Sequence, residues 1–311
     1  MRANELGRGA IKVISSFVNL VVLIAIVLLF AFAGYALWDT KQLHNSADKA
    51  HYAVYKPTAE DGGASFEELR VINPEVIAWL TVYGTNIDYP VTQSEDNMKY
   101  INTNAEGQYS LTGAIFLGSG YRSDFFDFEC IVYGHHMEGN VMFGEITKFA
   151  DRTMFDAHRY GNLYFDGTDH GIEFFAFVHA DAYDGAIFTE TANEAEAKQT
   201  FLEGLLSKAL YQRDIGVTLE DHIILLSTCS SDSTNGRDIL VGRITKEVFE
   251  NSFVKAETSG QKGLVGVDIQ SGPLKEFTQR QLIISLALSA LLPLLALAIH
   301  HKRNRSERKS R

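Results

Sequence analysis

From Val13 to Trp38 the chain carries no charged side chain, and Phe17 to Leu37 is almost wholly apolar. At about 1.5 Å per residue, a helix of more than roughly twenty residues spans a hydrocarbon core of about 30 Å. Arg2, Arg8 and Lys12 precede the run, as they would in a secretory signal. The run is longer than the roughly 7–15 apolar residues of a signal peptide, and no small-x-small cleavage pattern follows it. We therefore expect an uncleaved transmembrane helix.

A second charge-free run, Leu282 to Ile299, contains Pro293, a residue that membrane helices tolerate. Behind it come Lys302, Arg303, Arg305, Arg308, Lys309 and Arg311. Basic flanks stay in the cytoplasm, and two spans return both termini to that side. The expected order is a cytoplasmic N-terminus (1–12), a transmembrane helix (13–38), an extracellular stalk (39–65), a folded extracellular domain (66–255), a linker (256–281), a second transmembrane helix (282–299) and a basic cytoplasmic tail (300–311). The termini hold nine of the 28 basic residues and two of the 39 acidic ones, so the remainder carries a net charge of about −18. That surface repels phosphate backbones and excludes nucleic acid as a partner. The two cysteines, Cys130 and Cys229, allow at most one disulfide.

Between the spans the texture is short β-runs separated by turns. Strands are expected at 77–82, 87–91, 114–118, 129–134, 162–166, 172–179, 223–227 and 239–245. A helix is expected over 193–210, where Leu202, Leu205, Leu206 and Ala209 repeat at helical spacing behind a capping-box-like Thr191–Glu194. Many short strands with one long helix imply a mainly β fold, a closed β-barrel; a sandwich satisfies the same periodicity.

Three residues carry the chemistry. Cys229 ends an apolar run (Ile223–Leu226) and opens onto Ser230 and Ser231, with Ser227 and Thr228 just before it. A thiol at a rigid strand's end is a nucleophile when a neighbouring base or cation favours its thiolate, whereas a buried thiol is inert packing. In "ECIVYGHHM" a second strand ends at Gly134 and delivers His135 and His136, of which only one faces a shared site in extended chain. Histidine is the side chain suited to general acid–base work near neutral pH. Cys130, mid-strand, reads as core. Arg237 opens the apolar run after Cys229 and returns near the thiol, where a guanidinium stabilises an oxyanion. Arg243 falls at the far end of that strand. A zinc site from His135, His136 and Cys229 would lack the local ligand pairs such sites use, so no metal or other cofactor is expected.

Taken together these residues resemble the sortases, the cysteine transpeptidases of the Gram-positive cell surface, and class B in particular. "FEELRVINPEVIAWLTVYGTNIDYPVTQSEDNMKYI", "YGHHMEGNVMFGEI" and "LSTCSSDSTNGRDILVGRI" carry the similarity, over roughly residues 66–246. The resemblance implies a sortase-type barrel of about eight strands with peripheral helices, here flanked by two transmembrane helices. It implies Cys229 as nucleophile, His135 as general acid/base and Arg237 as transition-state arginine. Asn97 and Ile101 would line the substrate groove, and Ser227 and Thr228, beside the thiol, are expected to bind substrate with them. The partners implied are surface proteins or pilins bearing a C-terminal sorting signal, with a peptidoglycan precursor or a pilin lysine as the accepting amine. A second span departs from class B and is typical of the pilin-polymerising class C. The Asp-Pro-aromatic lid of class C has no counterpart in residues 39–65, so both acceptors stay open. The rival readings are a hydrolytic cysteine protease using the same residues and a non-catalytic tethered domain with an inert thiol.

Overall fold

The computed structural model of the chain describes residues 2–58, 60–191, 193–230 and 235–253. Helix α1 (Arg2–Ala47) contains the first apolar run, and Val13–Trp38 is long and apolar enough to cross a membrane. The expected second span, with its linker and basic tail, lies outside the described residues. The polar segment 39–65 is largely helical. Helix α1 continues through it to Ala47, α2 (Lys49–Tyr52) follows, and α3 (Ala64–Ile72) closes it. Ala47 and Tyr52 are buried in the same core as the strands, so the domain's packing begins well ahead of Phe66.

The strands are β1 (Val76–Val82), β2 (Asp88–Thr92), β3 (Ile115–Leu117), β4 (Glu129–Tyr133), β5 (Tyr160–Phe165), β6 (Thr168–Asp181), β7 (Ala209–Gln212), β8 (His222–Cys229) and β9 (Gly236–Thr245). They pair in the order β5-β1-β2-β3-β4-β8-β9-β6-β7, and β5 also pairs with β6. That last pairing closes eight strands into a barrel and leaves β7 as an appendage on β6. Closure removes the unpaired edges that an open sheet would present. Helix α4 (Arg152–Ala157) precedes β5. The β6-to-β8 connection holds α5 (Gly185–Phe188), α6 (Ala195–Ser207) and β7.

Each of the eight expected strands is present, and β7 is the one the sequence pattern did not reveal. The helix expected over 193–210 stops at Ser207, because Ala209–Gln212 pairs with β6 instead. Tertiary hydrogen bonds with a ready strand edge outweigh the weak helical preference of those last residues. Helix α6 begins at Glu194 with no side-chain cap, so the capping box does not form; Thr191 instead donates its N–H to Glu129 Oε1 at 2.9 Å.

Alternation along the strands divides the core in two. Cys130, Val132, Ile224, Leu226, Leu240, Phe174 and Phe177 fill one cluster, the barrel interior. Ile131, Ile223, Leu225, Ile239 and Val241 point the other way and are covered by Phe201, Leu202 and Leu205 of α6. At about 1.5–3 kcal/mol per buried large apolar side chain, both faces of β4, β8 and β9 are rigidly backed. This three-strand ribbon carries the site.

Candidate active site

Strand β8 runs between β4 and β9 and ends at Cys229, whose side chain is exposed while Ser227 and Thr228 are buried. On the β9 side, Cys229 is paired directly with Arg237. Ser230 N–H donates to Gly236 O at 2.8 Å. In an antiparallel ladder bonded and non-bonded pairs alternate, so Cys229 and Arg237 form a non-bonded pair, the closer kind, with Cα atoms about 4.5 Å apart. Arg237 is half-buried, and its Nη1 donates to Gly236 O at 3.0 Å. Its charge reaches across β8: burial pushes the Tyr133 phenol up, and Arg237 pulls it back.

On the other side, β4 runs parallel to β8, with Tyr133 level with Ser227. Gly134 N–H donates to Ser227 O at 3.2 Å, and the Thr228 hydroxyl donates to Gly134 O at 2.9 Å. The two chain ends thus stay together past the ladder. His135 and Cys229, each two residues beyond the Tyr133/Ser227 pair, fall at the same level on neighbouring strands, which run about 4.8 Å apart. Strand alternation puts Tyr133, Ser227, Cys229 and Arg237 on one face of the ribbon, the α6 face.

Glycine at position 134 answers to space rather than to backbone conformation. A Cβ there would lie 2.6 Å from Ile115 Cδ1 and 2.7 Å from Phe143 Cδ2, and Gly134 does not have a positive φ. The imidazole is held by its own tether, His135 Nε2 to Ile101 O at 2.8 Å. A carbonyl only accepts, so Nε2 is the donor in this bond. His135 O accepts from Phe143 N–H at 3.1 Å, and His136 bridges to Met142. The His136 Nδ1 is buried without a hydrogen-bond partner among the described residues.

The remaining expected residues divide by function. Ser227 lies on the site face, and its buried Oγ has no hydrogen-bond partner among the described residues. Thr228 points the other way and uses its hydroxyl to hold Gly134. Asn97 Oδ1 accepts from Ser119 N–H at 2.8 Å, tying two loops together, and Ile101 contributes its carbonyl to His135. Tyr133 was not singled out in the sequence, although its place two residues before His135 was a legible signal.

Cys130 is buried on the opposite face, and burial raises its thiol pKa well above the ordinary value. It is level with Ile224, five residues short of Cys229, or about 16 Å along the strand, which is too far for a disulfide. Arg243, at the other end of β9, donates to Glu173 Oε2 at 2.9 Å. Among the described residues no group of three His, Cys, Asp or Glu side chains forms a metal cluster.

The closed barrel thus sets the exposed Cys229 opposite Arg237 on one neighbouring strand and beside the other strand, the one that leads to His135. No family model matches the chain. The sortase B of the type II pilus of Streptococcus pneumoniae superposes with a TM-score of 0.52 at 46% identity, covering 58% of this chain and 99% of that one. A Streptococcus pyogenes class B sortase involved in pilus biogenesis gives 0.53 at 38%, covering 58% and 98%. Listeria monocytogenes sortase B is 28% identical over 242 residues, 74% of this chain and 98% of the relative. The chain belongs to the sortase family, with its similarity to class B, and is a sortase cysteine transpeptidase.

Proposed function

We propose that this protein is a membrane-anchored class B-type sortase that cleaves a C-terminal sorting signal after threonine and joins the new carboxyl end to an amine. The Cys229 thiolate attacks the threonine carbonyl carbon, and Arg237 holds the oxyanion. The peptide C–N bond breaks, His135 protonates the departing amine, and a thioester remains on Cys229. The second amine gives its proton to His135, attacks the thioester and releases the thiolate. The observation that carries this reading is the order β4-β8-β9, which seats Cys229 between the level of His135 and the cross-strand Arg237.

Ser227, with its unpartnered hydroxyl on the same face, is suited to a polar group of the sorting signal. Asn97, Ile101 and Thr228 serve by holding the loops around it. Of the two acceptors, a pilin lysine is favoured. The pilus-associated class B relatives are 46% and 38% identical, against 28% for the Listeria sortase B. Helix α1 anchors the domain to the cell membrane through Val13–Trp38; with the second span at 282–299 both termini are cytoplasmic and the barrel extracellular.

The test incubates the full chain with sorting-type pentapeptides, with and without candidate amines, and reads products by mass spectrometry. A thioacyl adduct lost in Cys229→Ala, followed by an amine-linked product, supports the transpeptidase. Hydrolysis with every amine supplied would instead make it a protease.

A further inference from the structure

Ala47, the last residue of α1, is fully buried, and its carbonyl accepts from the Tyr89 hydroxyl at 2.9 Å. The same hydroxyl accepts from Met142 N–H at 3.0 Å. A phenol has one hydrogen, so donating it to Ala47 leaves the lone pair that Met142 needs. Met142 belongs to the loop after His135. It is buried with φ of +53°, and the next N–H, that of Phe143, donates to His135 O. Tyr89 therefore joins the end of the anchor helix to the backbone of the histidine.

A second set of contacts leads toward the residue that holds the imidazole. Tyr52 is buried, and burial pushes its phenol pKa up to about 12 against the pull of the Ala105 backbone. His51 Nε2 lies 3.3 Å from Glu106 Oε1. Residues 105 and 106 belong to the loop that continues from Ile101, whose carbonyl holds His135 Nε2. The Tyr52 and Tyr89 rings meet edge to face at 6.5 Å. Residues 47–52 thus contact both Tyr89 and the loop that follows Ile101.

We propose that the segment 47–52, directly after the membrane-anchor helix, is part of the support of the catalytic histidine, with Tyr89 as its positioning residue. The inference rests on the reading of His135 as the general acid/base. Tyr89 touches no reacting atom. Its hydroxyl satisfies a buried N–H that would otherwise be orphaned, and an orphaned donor there would let the loop relax and carry His135 out of register with Cys229.

The experiment uses the full chain in detergent micelles. Tyr89→Phe keeps the ring packing and removes both hydrogen bonds. The expected result is a fall in kcat of about tenfold with the peptide KM within about twofold, and a displaced limb in the pH–rate profile. Tyr52→Phe shifts kcat in the same direction by less. Tyr211→Phe, which loses a hydroxyl bonded to Ala150 O far from the site, leaves all three readouts unchanged. His135→Ala separates the two readings. If it is inactive while Tyr89→Phe keeps the parent kcat and pH profile, with or without a lowered Tm, the positioning role is overturned and the histidine's role stands. If His135→Ala retains activity, the reading of His135 fails first. Should Tyr89→Phe not fold, Tyr52→Phe carries the test, and an unchanged kcat and pH profile there overturns the proposal.

Discussion

Cys229 and Arg237 stand directly opposite each other at the open end of the β8–β9 ladder, on the face that α6 covers lower down. Backbone pairing sets this relationship, so it holds without any hydrogen bond between the two side chains. In the proposed mechanism that guanidinium acts on charge that develops only during reaction. Arg237→Lys keeps the charge but loses the planar fork, and kcat is expected to fall by about 10²–10³ with a much smaller change in peptide KM. Steady-state transpeptidation assays read both constants; a change confined to KM would reassign Arg237 to ground-state binding.

Thr228 links the nucleophile's strand to the histidine's strand through one hydrogen bond to Gly134 O. Thr228→Val preserves the shape and removes the donor from a buried carbonyl, at a cost of about 1–2 kcal/mol. Chemical denaturation gives the stability loss, and Thr228→Ser should recover most of it.

Gly134 has no room for a methyl group between Ile115 and Phe143. Gly134→Ala is expected to destabilise the domain by about 1–3 kcal/mol through overpacking and to lower activity further by shifting His135. A variant with the parent Tm would show that the neighbouring side chains yield freely.

Thiol labelling should separate the two cysteines. Cys229 is exposed, while Cys130 is buried and its thiol is raised by that burial. Intact-mass measurement of the native protein with an alkylating reagent should find one adduct, at Cys229, and a second only after denaturation. Two adducts on the native chain would contradict the burial of Cys130.

Glu129 is 2% exposed, and desolvation raises its carboxyl pKa against the pull of the Thr191 N–H. A folded-state pKa above the unfolded one means that the native state binds the proton more tightly. The stabilisation linked to that proton is complete below the unfolded pKa and is lost as pH rises through the folded one. Glu129→Gln removes the titration and leaves an acceptor for Thr191. Its stability should therefore change less than the parent's across the mildly acid range, as seen in Tm against pH.

Much of the fold was legible because its signals are local. Short β-runs bounded by turns marked each of the eight barrel strands. β7 stayed hidden, since Ala209 and Leu210 extend a helical spacing and become strand only when β6 offers an edge. At the site, Cys229, His135 and Arg237 stood out by residue type at strand ends. The adjacent His136 has the same type, and only the parallel register of β4 with β8 puts His135 level with the thiol. Thr228 and Ile101 were expected against substrate, and the structure adds that their polar groups hold Gly134 and His135. Nothing in a sequence distinguishes a hydroxyl aimed at a ligand from one aimed at a neighbouring carbonyl.

The sequence by itself determined the apolar helix, the strand runs and the three candidate side chains, because hydrophobic spacing and functional-group chemistry are properties of residues taken in order. The tertiary structure alone decided which strands are neighbours, which face each strand side chain takes, and that the end of helix α1 reaches Tyr89 and, through it, the loop after His135. Those are pairings between residues tens of positions apart, set by long-range hydrogen-bond register and by the need to satisfy buried polar groups.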